Sequence, residues 1–285
     1  MNVLVASFCN GRGADDAMLA VRTPSGEWQP IRAPGSSPAS ACGLATDGTN
    51  VYCAYTQDDA SHIAVWDVFA PRFVESIPLP TVIDVHALVL DGEHVIVAST
   101  GSDEVVRVNL ADGDCDILWR AGSAPKDTHH LSGLLMHEGR LLSTAFGPRL
   151  GRSWADAVDG YIYDLSSGVY LARGIYQPHS PASHEGSLYF CESPRGFIRS
   201  LYGAVQFVAG YARGLVFTGG DSYAAGCSVA RRGDGVHAAG YSNPADPGAR
   251  AGTCAVYFGS LSDYAFSRES LEHLGAEIYD ILAIG

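Results

Sequence analysis

HHLSGLLMHEGRLLSTAFG at residues 129–147 and PHSPASHEGSLYFCESPRG at residues 178–196 follow one plan. Each has a histidine-bearing lead, a short apolar stretch, an HEG turn and a second β-rich stretch. Three more segments share it: CGLATDGTNVYCAY (42–55), VHALVLDGEHVIVAST (85–100) and ARGLVFTGGDSYAAGCSV (212–229). In all five, an apolar run of strand length meets a Gly-containing turn and then an alternating run rich in Val, Tyr and Leu. That is the pattern of a β-hairpin. Alternating segments such as HIAVWDV (62–68), EVVRVNL (104–110) and DGYIYDL (159–165) supply a third strand and sometimes a fourth. Successive leads lie roughly 30 to 50 residues apart, the period of propeller blades.

A hairpin repeated with one internal grammar disfavours an immunoglobulin-like sandwich. In a propeller each blade buries its faces against its neighbours, so every blade needs the same pattern. The ends complete the count. EIYDILAIG (277–285) is an apolar run with no hairpin partner after it, while NVLVASF (2–8), AMLAVRT (17–23) and EWQPIRA (27–33) are strands without an inner partner. Joining them makes a blade whose innermost strand is the last of the chain, and removes the open edge that would template aggregation. The expectation is therefore an all-β protein, a six-bladed β-propeller in one domain spanning 1–285, closed by the C-terminal strand joining the N-terminal strands. Its blades would be 276–285 with 1–35, then 40–80, 84–122, 129–175, 178–210 and 212–265. Five or seven blades remain alternatives, because 219–274 holds either one blade with an insertion or one and a half. The only helix signal is SRESLEHLG (267–275).

Composition agrees with a turn-rich fold. The chain has 33 glycines and 14 prolines among 285 residues, with 47% hydrophobic and 17% charged residues. A formal charge of −13 and scattered basic residues, with Arg231-Arg232 the only adjacent pair, argue against nucleic acid as a partner. The opening residues lack a basic leader and a membrane-length apolar run, so no membrane partner is expected. Seven cysteines, an odd number without a CxxC pair, point to a reducing cytoplasm and to buried thiols. Oligomeric state is not legible.

Innermost strands of a propeller run the same way, so residues at their starts converge on one mouth of the central channel. Those positions hold Cys42, His86, His130, His179 and Arg213, with Glu277, Tyr279 and Asp280 on the closing strand. His86, His130 and His179 are candidate ligands for a divalent transition metal, Zn or Fe, with one coordination position left for water or substrate. Arg213 would clamp a carboxylate or phosphate. Arg12, in the polar loop ASFCNGRGADD (6–16), and Cys42 are further substrate-binding candidates, and Asp280, Glu277 and Tyr279 are the acid/base candidates. Two other readings stay open: a site without metal, and histidines that only bond backbone carbonyls and water. His94, His137 and His184 read as solvent-facing turn residues. His129 should point away from His130, though it or Asp127 could still enter from a loop. Glu192 and Arg195 read as an ion pair. No dinucleotide, flavin or nucleotide fingerprint and no nucleophile elbow is present.

The ordered leads HLSGL (130–134), PHSP (178–181), ARGL (212–215) and EIYDI (277–281) resemble a bacterial family of cytosolic proteins with motifs HLNGL, PHSP, RGL and EIYD. Ser132 stands where that family has Asn, which would alter one channel-lining hydrogen bond. More distantly the blades look like those of gluconolactonase, strictosidine-synthase and NHL-repeat propellers. Among them, peptidyl-hydroxyglycine lyase holds a metal on axial histidines near an arginine. Gluconolactonase-type calcium sites use Glu, Asn and Asp instead, unlike the histidine-rich positions here. Two functions follow as expectations. One is a small-molecule enzyme at the axial mouth, a hydrolase, lyase or isomerase acting on an anion. The other is a non-catalytic propeller that holds a ligand or protein.

Overall fold

A computed structural model describes residues 3–9, 16–33, 37, 39–67, 69–70, 72–123, 125–151, 154–228, 253–263 and 265–285. Twenty-four strands form six four-stranded antiparallel sheets. In chain order the first three are Val3–Cys9 (β1), Leu19–Arg22 (β2) and Trp28–Ile31 (β3). The second blade is Ala39–Thr46 (β4), Val51–Gln57 (β5), Ala60–Asp67 (β6) and Arg72–Pro78 (β7). The third is Val85–Asp91 (β8), His94–Ser99 (β9), Glu104–Asn109 (β10) and Cys115–Arg120 (β11). The fourth is Leu131–His137 (β12), Arg140–Ala145 (β13), Gly160–Asp164 (β14) and Val169–Ile175 (β15). The fifth is Pro178–His184 (β16), Ser187–Glu192 (β17), Phe197–Ser200 (β18) and Gly203–Phe207 (β19). The sixth is Tyr211–Gly219 (β20), Ser222–Ser228 (β21), Ala255–Ser260 (β22) and Phe266–Ser270 (β23). Glu277–Ile284 (β24) then pairs with β1, so the first blade reads β24-β1-β2-β3 from the inside out. This is the six-bladed propeller and the closure that the ends of the chain imply.

Around the axis β24, β4, β8, β12, β16 and β20 each pack against the next, and β20 returns to β24. Because every blade has a neighbour on both faces, both faces are apolar. Among the described residues a buried apolar cluster fills each of the six seams. Val5, Leu19 and Ile31 meet Leu44, Val51 and Trp66 between the first two blades. Leu4, Ala6 and Ile278 meet Ala224, Val256 and Leu271 where the ring closes. An ion pair reinforces that last seam: the Glu269 carboxylate accepts from Arg22 (2.6 and 3.0 Å) and from the Trp28 indole N–H (2.7 Å). SRESLEHLG is not helical. It forms β23 and a turn, because Arg268 and Glu269 pair with Tyr257 and Val256 of β22. Between β21 and β22 the residues 229–252 lie outside the described set, and the two strands pair within one sheet. Among the described residues no helix is long and apolar enough to cross a membrane.

Every innermost strand carries a register shift beside its lead. β4 shifts between Ala41 and Leu44, β8 between Val85 and Ala87, and β12 between Leu131 and Gly133. β16 shifts between His179 and Ala182, β20 between Arg213 and Leu215, and β24 between Ile278 and Ile281. In each case the inner strand spends one residue more than its partner, a β-bulge. The bulges coincide with the closest approach of neighbouring strands. A Cβ on Gly43 would sit 2.6 Å from Ala87 Cα, and one on Gly133 2.5 Å from Pro181 Cδ. Gly214, at φ +66°, would meet Ile281 N at 2.8 Å. Both conformation and space therefore require glycine there.

Gly214→Ala is expected to destabilise by about 3 kcal/mol, combining left-handed strain with a backbone clash. Gly139→Ala, in an open turn at φ +74°, has only the strain to bear and should cost about 1 kcal/mol. Urea unfolding of both variants checks the difference; equal costs would mean that the seam tolerates a methyl group.

Candidate functional site

The bulges re-aim the leads toward the axis. His86 is itself the extra residue of β8, His179 immediately precedes the bulge of β16, and Arg213 that of β20. His130 stands one residue before β12 in the left-handed region, at φ 56°. Asp84 (φ 52°), Gln177 (46°) and Ser180 (49°) share that region at the same mouth. Each such non-glycine residue stores roughly 1–3 kcal/mol of strain, and strain of this kind concentrates at functional sites.

The three histidines do meet at one opening. The ring centroids of His86 and His130 are 4.9 Å apart, and His86 and His179 lie 5.3 and 5.9 Å from the Tyr279 ring. Phe146 bridges the rest, 4.4 Å from His130 and 5.1 Å from His179, and Trp154 covers His130 at 4.7 Å. Each imidazole is anchored through one nitrogen. His86 Nε2 faces Asp84 Oδ1 at 3.3 Å, and His130 Nδ1 faces Asp127 Oδ1 at 3.2 Å. His179 Nδ1 lies 2.8 Å from Ser193 Oγ and 3.2 Å from the Gln177 carbonyl. The opposite nitrogens of two of them, His86 Nδ1 and His179 Nε2, are buried without a hydrogen-bond partner among the described residues. Burial lowers the pKa of His130, against the pull of Asp127, and drives that of His179 well down, with Arg213 adding to the effect. Both rings are therefore neutral at pH 7. The three histidines do not all bring ligand atoms within 4.8 Å of one another; among the described residues the trio that does is His184, Glu185 and Asp221.

Arg213 is buried, its guanidinium carbon 4.5 Å from the centroid of the Tyr211 ring and 5.0 Å from that of the Tyr279 ring. Nη1 points at Glu277 Oε2 (3.4 Å) and Cys9 Sγ (3.5 Å), while Nε has no partner among the described residues. Burial disfavours its charge, but Cys9, Tyr211, Glu277 and Tyr279 outweigh that and keep the guanidinium firmly protonated. Both rings are within cation–π distance of the guanidinium. Cys42 packs against Cys9 and Tyr279, and burial pushes its thiol well up, so it is protonated at neutral pH.

Tyr279 bars the axis. Its hydroxyl donates to the carbonyl of Ser132, 3.3 Å away on β12, which lies three strands from β24 in either direction around the ring. Beyond it lies a cavity of about 480 Å³, lined by residues of all six innermost strands, including His86, Ser132, Ser180, Tyr279 and Asp280 but not His130, His179 or Arg213. Asp280 thus faces this cavity. Its carboxylate accepts from Leu44 N (3.0 Å) and Ile281 N (2.9 Å). Burial raises its pKa to about 7, although those two N–H groups work in the opposite direction. Ser132 Oγ donates to the Pro178 carbonyl at 2.5 Å, a bond from the fourth blade to the fifth.

Other expectations fare differently. His137 and His184 are not solvent-facing. His137 is buried and its Nδ1 lies 2.9 Å from Ser183 Oγ, while His184 stacks on Phe217 at 4.2 Å. The reason is that each inner hairpin leans on the next blade. His129 turns to the Tyr161 hydroxyl (3.1 Å), away from the mouth, and Glu192 accepts from Arg195 and Arg199 at 2.6 Å each. Arg12, with Asn10 and Asp15, lies outside the described residues, as does His237. Cys9, Tyr211, Phe146 and Trp154 went unnoticed in the sequence. Tyr211 had a signal, standing two residues before Arg213 on the same strand and so on the same face. Cys9 had none, since it reaches the mouth from the second strand of the closing blade.

Fold and mouth together define the class: a six-bladed propeller with a histidine- and arginine-lined axial opening. The chain belongs to the family described as a domain of unknown function, DUF4915, which matches residues 63–284. It is similar to a chain of the nidogen/laminin complex (TM-score 0.67, 10% identity, covering 100% of this chain and 98% of that one). It is also similar to a protein from Lactobacillus plantarum (0.57, 11%, 100% of each chain). A third similar structure is a Bacteroides fragilis protein provisionally described as a 6-phosphogluconolactonase (0.59, 11%, 100% and 98%). At such identities the likeness shows the fold alone. No curated protein matches the chain.

A carboxyl whose folded pKa is about 7 against about 3.9 unfolded stabilises the fold at low pH and loses that contribution as pH rises through 7. Wild-type protein should therefore lose melting temperature relative to Asp280→Asn between pH 5 and pH 8. A gap that stays constant or moves the other way would show that Asp280 is ionised throughout.

Proposed function

We propose that the protein is a small-molecule enzyme whose site is the axial mouth and whose substrate is an anion. The observation that carries this reading is Arg213: a buried guanidinium over the rings of two tyrosines, with Nε unpartnered among the described residues and the neutral imidazole of His179 nearby. A carboxylate or phosphate would complete its hydrogen bonds in a low-dielectric setting, where such pairs are strongest. The reaction belongs to the hydrolase, lyase or isomerase class. Glu277, beside Arg213, and Tyr279, between Arg213 and the histidines, are the acid/base groups nearest the bound anion, with Asp280 on the far side of Tyr279.

His86, His130 and His179 are the ligands we assign to a divalent transition metal, Zn or Fe. In favour are the neutral rings of His130 and His179 and the anchoring of each of the three by Asp84, Asp127 or Ser193, the outer partners that orient metal-binding imidazoles. Such an ion would act as a Lewis acid toward the substrate; the rings would have to draw closer to share it. The provisional lactonase description of the Bacteroides fragilis relative agrees with hydrolysis of an anion, by analogy of fold. Seven unbridged cysteines suit a cytoplasmic setting.

Untagged protein should be stabilised in thermal melts by inorganic phosphate and by small organic phosphates or carboxylates. Arg213→Lys should weaken the best of these by about tenfold, because an ammonium cannot make the planar contact. Co-purifying Zn or Fe should be lost in His130→Ala. Equal responses of wild type and Arg213→Lys would contradict the anion reading. Metal-free protein indifferent to added Zn²⁺, Fe²⁺ and Mn²⁺ would remove the metal from it.

A further inference from the structure

The cavity beyond Tyr279 differs in chemistry from the histidine- and arginine-lined mouth. The cavity beyond Tyr279, about 480 Å³, is the size of a small-molecule pocket. Its walls are mostly apolar, with Leu44, Leu88, Leu134, Leu215, Phe217 and Leu282 contributed by five of the six innermost strands. No Lys or Arg lines it among the described residues, and its one carboxylate is Asp280.

Asp280 is held in place by backbone alone. Leu44 N and Ile281 N each take one oxygen, which leaves about half of the acceptor capacity of a carboxylate facing the cavity. A carboxylate in apolar surroundings without a cation is costly, and the cost is relieved by a counter-ion small enough to enter. A formal charge of −13 enriches cations around the whole molecule. Anions, by contrast, find Arg213 on the other side of Tyr279.

We propose that this chamber binds a small apolar ammonium ion, its nitrogen on Asp280 and its hydrocarbon against the leucine and phenylalanine walls. The aliphatic body gains from burial at about 25 cal/mol per Å², and the charge gains a partner that water does not screen. The site uses neither Arg213 nor a metal, while His86, Tyr279 and Asp280 are shared between its lining and the mouth reading proposed above. The groups facing Asp280 are Leu44 N on β4, Ile281 N on β24, Cys53 on β5 and Cys191 on β17, with His86 and Tyr279 lining the same cavity. Burial, with Asp280 adding to it, pushes both thiols up, so they stay neutral.

Calorimetry on the untagged full chain tests this with cyclohexylammonium, cyclohexanol and cyclohexanecarboxylate. At pH 8 the ammonium should bind at least tenfold more tightly than the other two. Its affinity should fall about tenfold at pH 6, where Asp280 is protonated, while the alcohol is unaffected. Asp280→Asn should bring the ammonium down to the alcohol and abolish its pH dependence, which separates Asp280 from His86. Met136→Lys places a cation on an exposed lining residue, so its folding is not in question. It should weaken the ammonium severalfold and spare the alcohol, and it serves as the readout if Asp280→Asn does not fold. The proposal is overturned if the alcohol matches the ammonium, if the carboxylate binds best, if none binds, or if the ammonium is unaffected by Met136→Lys.

Discussion

A strand that takes an extra residue gives up part of its ladder, and the backbone groups it frees must find other partners. All six inner strands of this propeller do so at one level, and the repairs are made across seams. Ser7 Oγ on the first blade donates to the Cys42 carbonyl on the second and accepts from Asp280 N. Thr100 Oγ1 reaches the Leu131 carbonyl, Ser132 Oγ reaches the Pro178 carbonyl, and Gly214 N reaches Ser180 Oγ. Ile278 N bonds Ser228 Oγ to close the ring. The blades are thus stitched together by the same irregularity that turns their side chains inward.

Everything at the mouth depends on that ring of bulges. Regular strands would send alternate side chains into the seams and leave a shallow apolar opening. The bulges instead turn two of the imidazoles, the guanidinium and a tyrosine inward, and the left-handed His130 joins them. Low dielectric then sorts the charges. His130 and His179 lose theirs, Arg213 keeps its own, and Tyr279 stands between that cation and the carboxyl of Asp280. One aromatic side chain divides the channel into an end that holds the guanidinium and an end that holds the carboxyl.

Much of the architecture was legible because hairpins announce themselves: alternation sets the strands, turn glycines separate them, and an unpaired run at the C-terminus meets unpaired strands at the N-terminus. The bulges were not, since an extra residue leaves no mark in a single sequence. His86, His179 and His130 stand six, seven and nine residues before their turn glycines. That mismatch of height is resolved by the bulge at His86, by the one after His179, and by the left-handed turn at His130. The same blindness hid the burial of His137 and His184, whose surroundings come from the next blade. The short helix signal at SRESLEHLG yielded to pairing with β22, a tertiary preference that local propensity does not contain.

The central claim, that bulged inner strands build a ligand-binding mouth from His86, His130, His179 and Arg213, is tested most directly by electron density. Crystals grown near neutral pH without chelator, from protein that never carried a tag, should show a bound group within hydrogen-bonding or coordination distance of Arg213 Nε and His179 Nε2. The three imidazoles should keep their anchors to Asp84, Asp127 and Ser193. Rings turned away from one another, with Arg213 paired fully inside the protein and bulk water at the opening, would contradict the account.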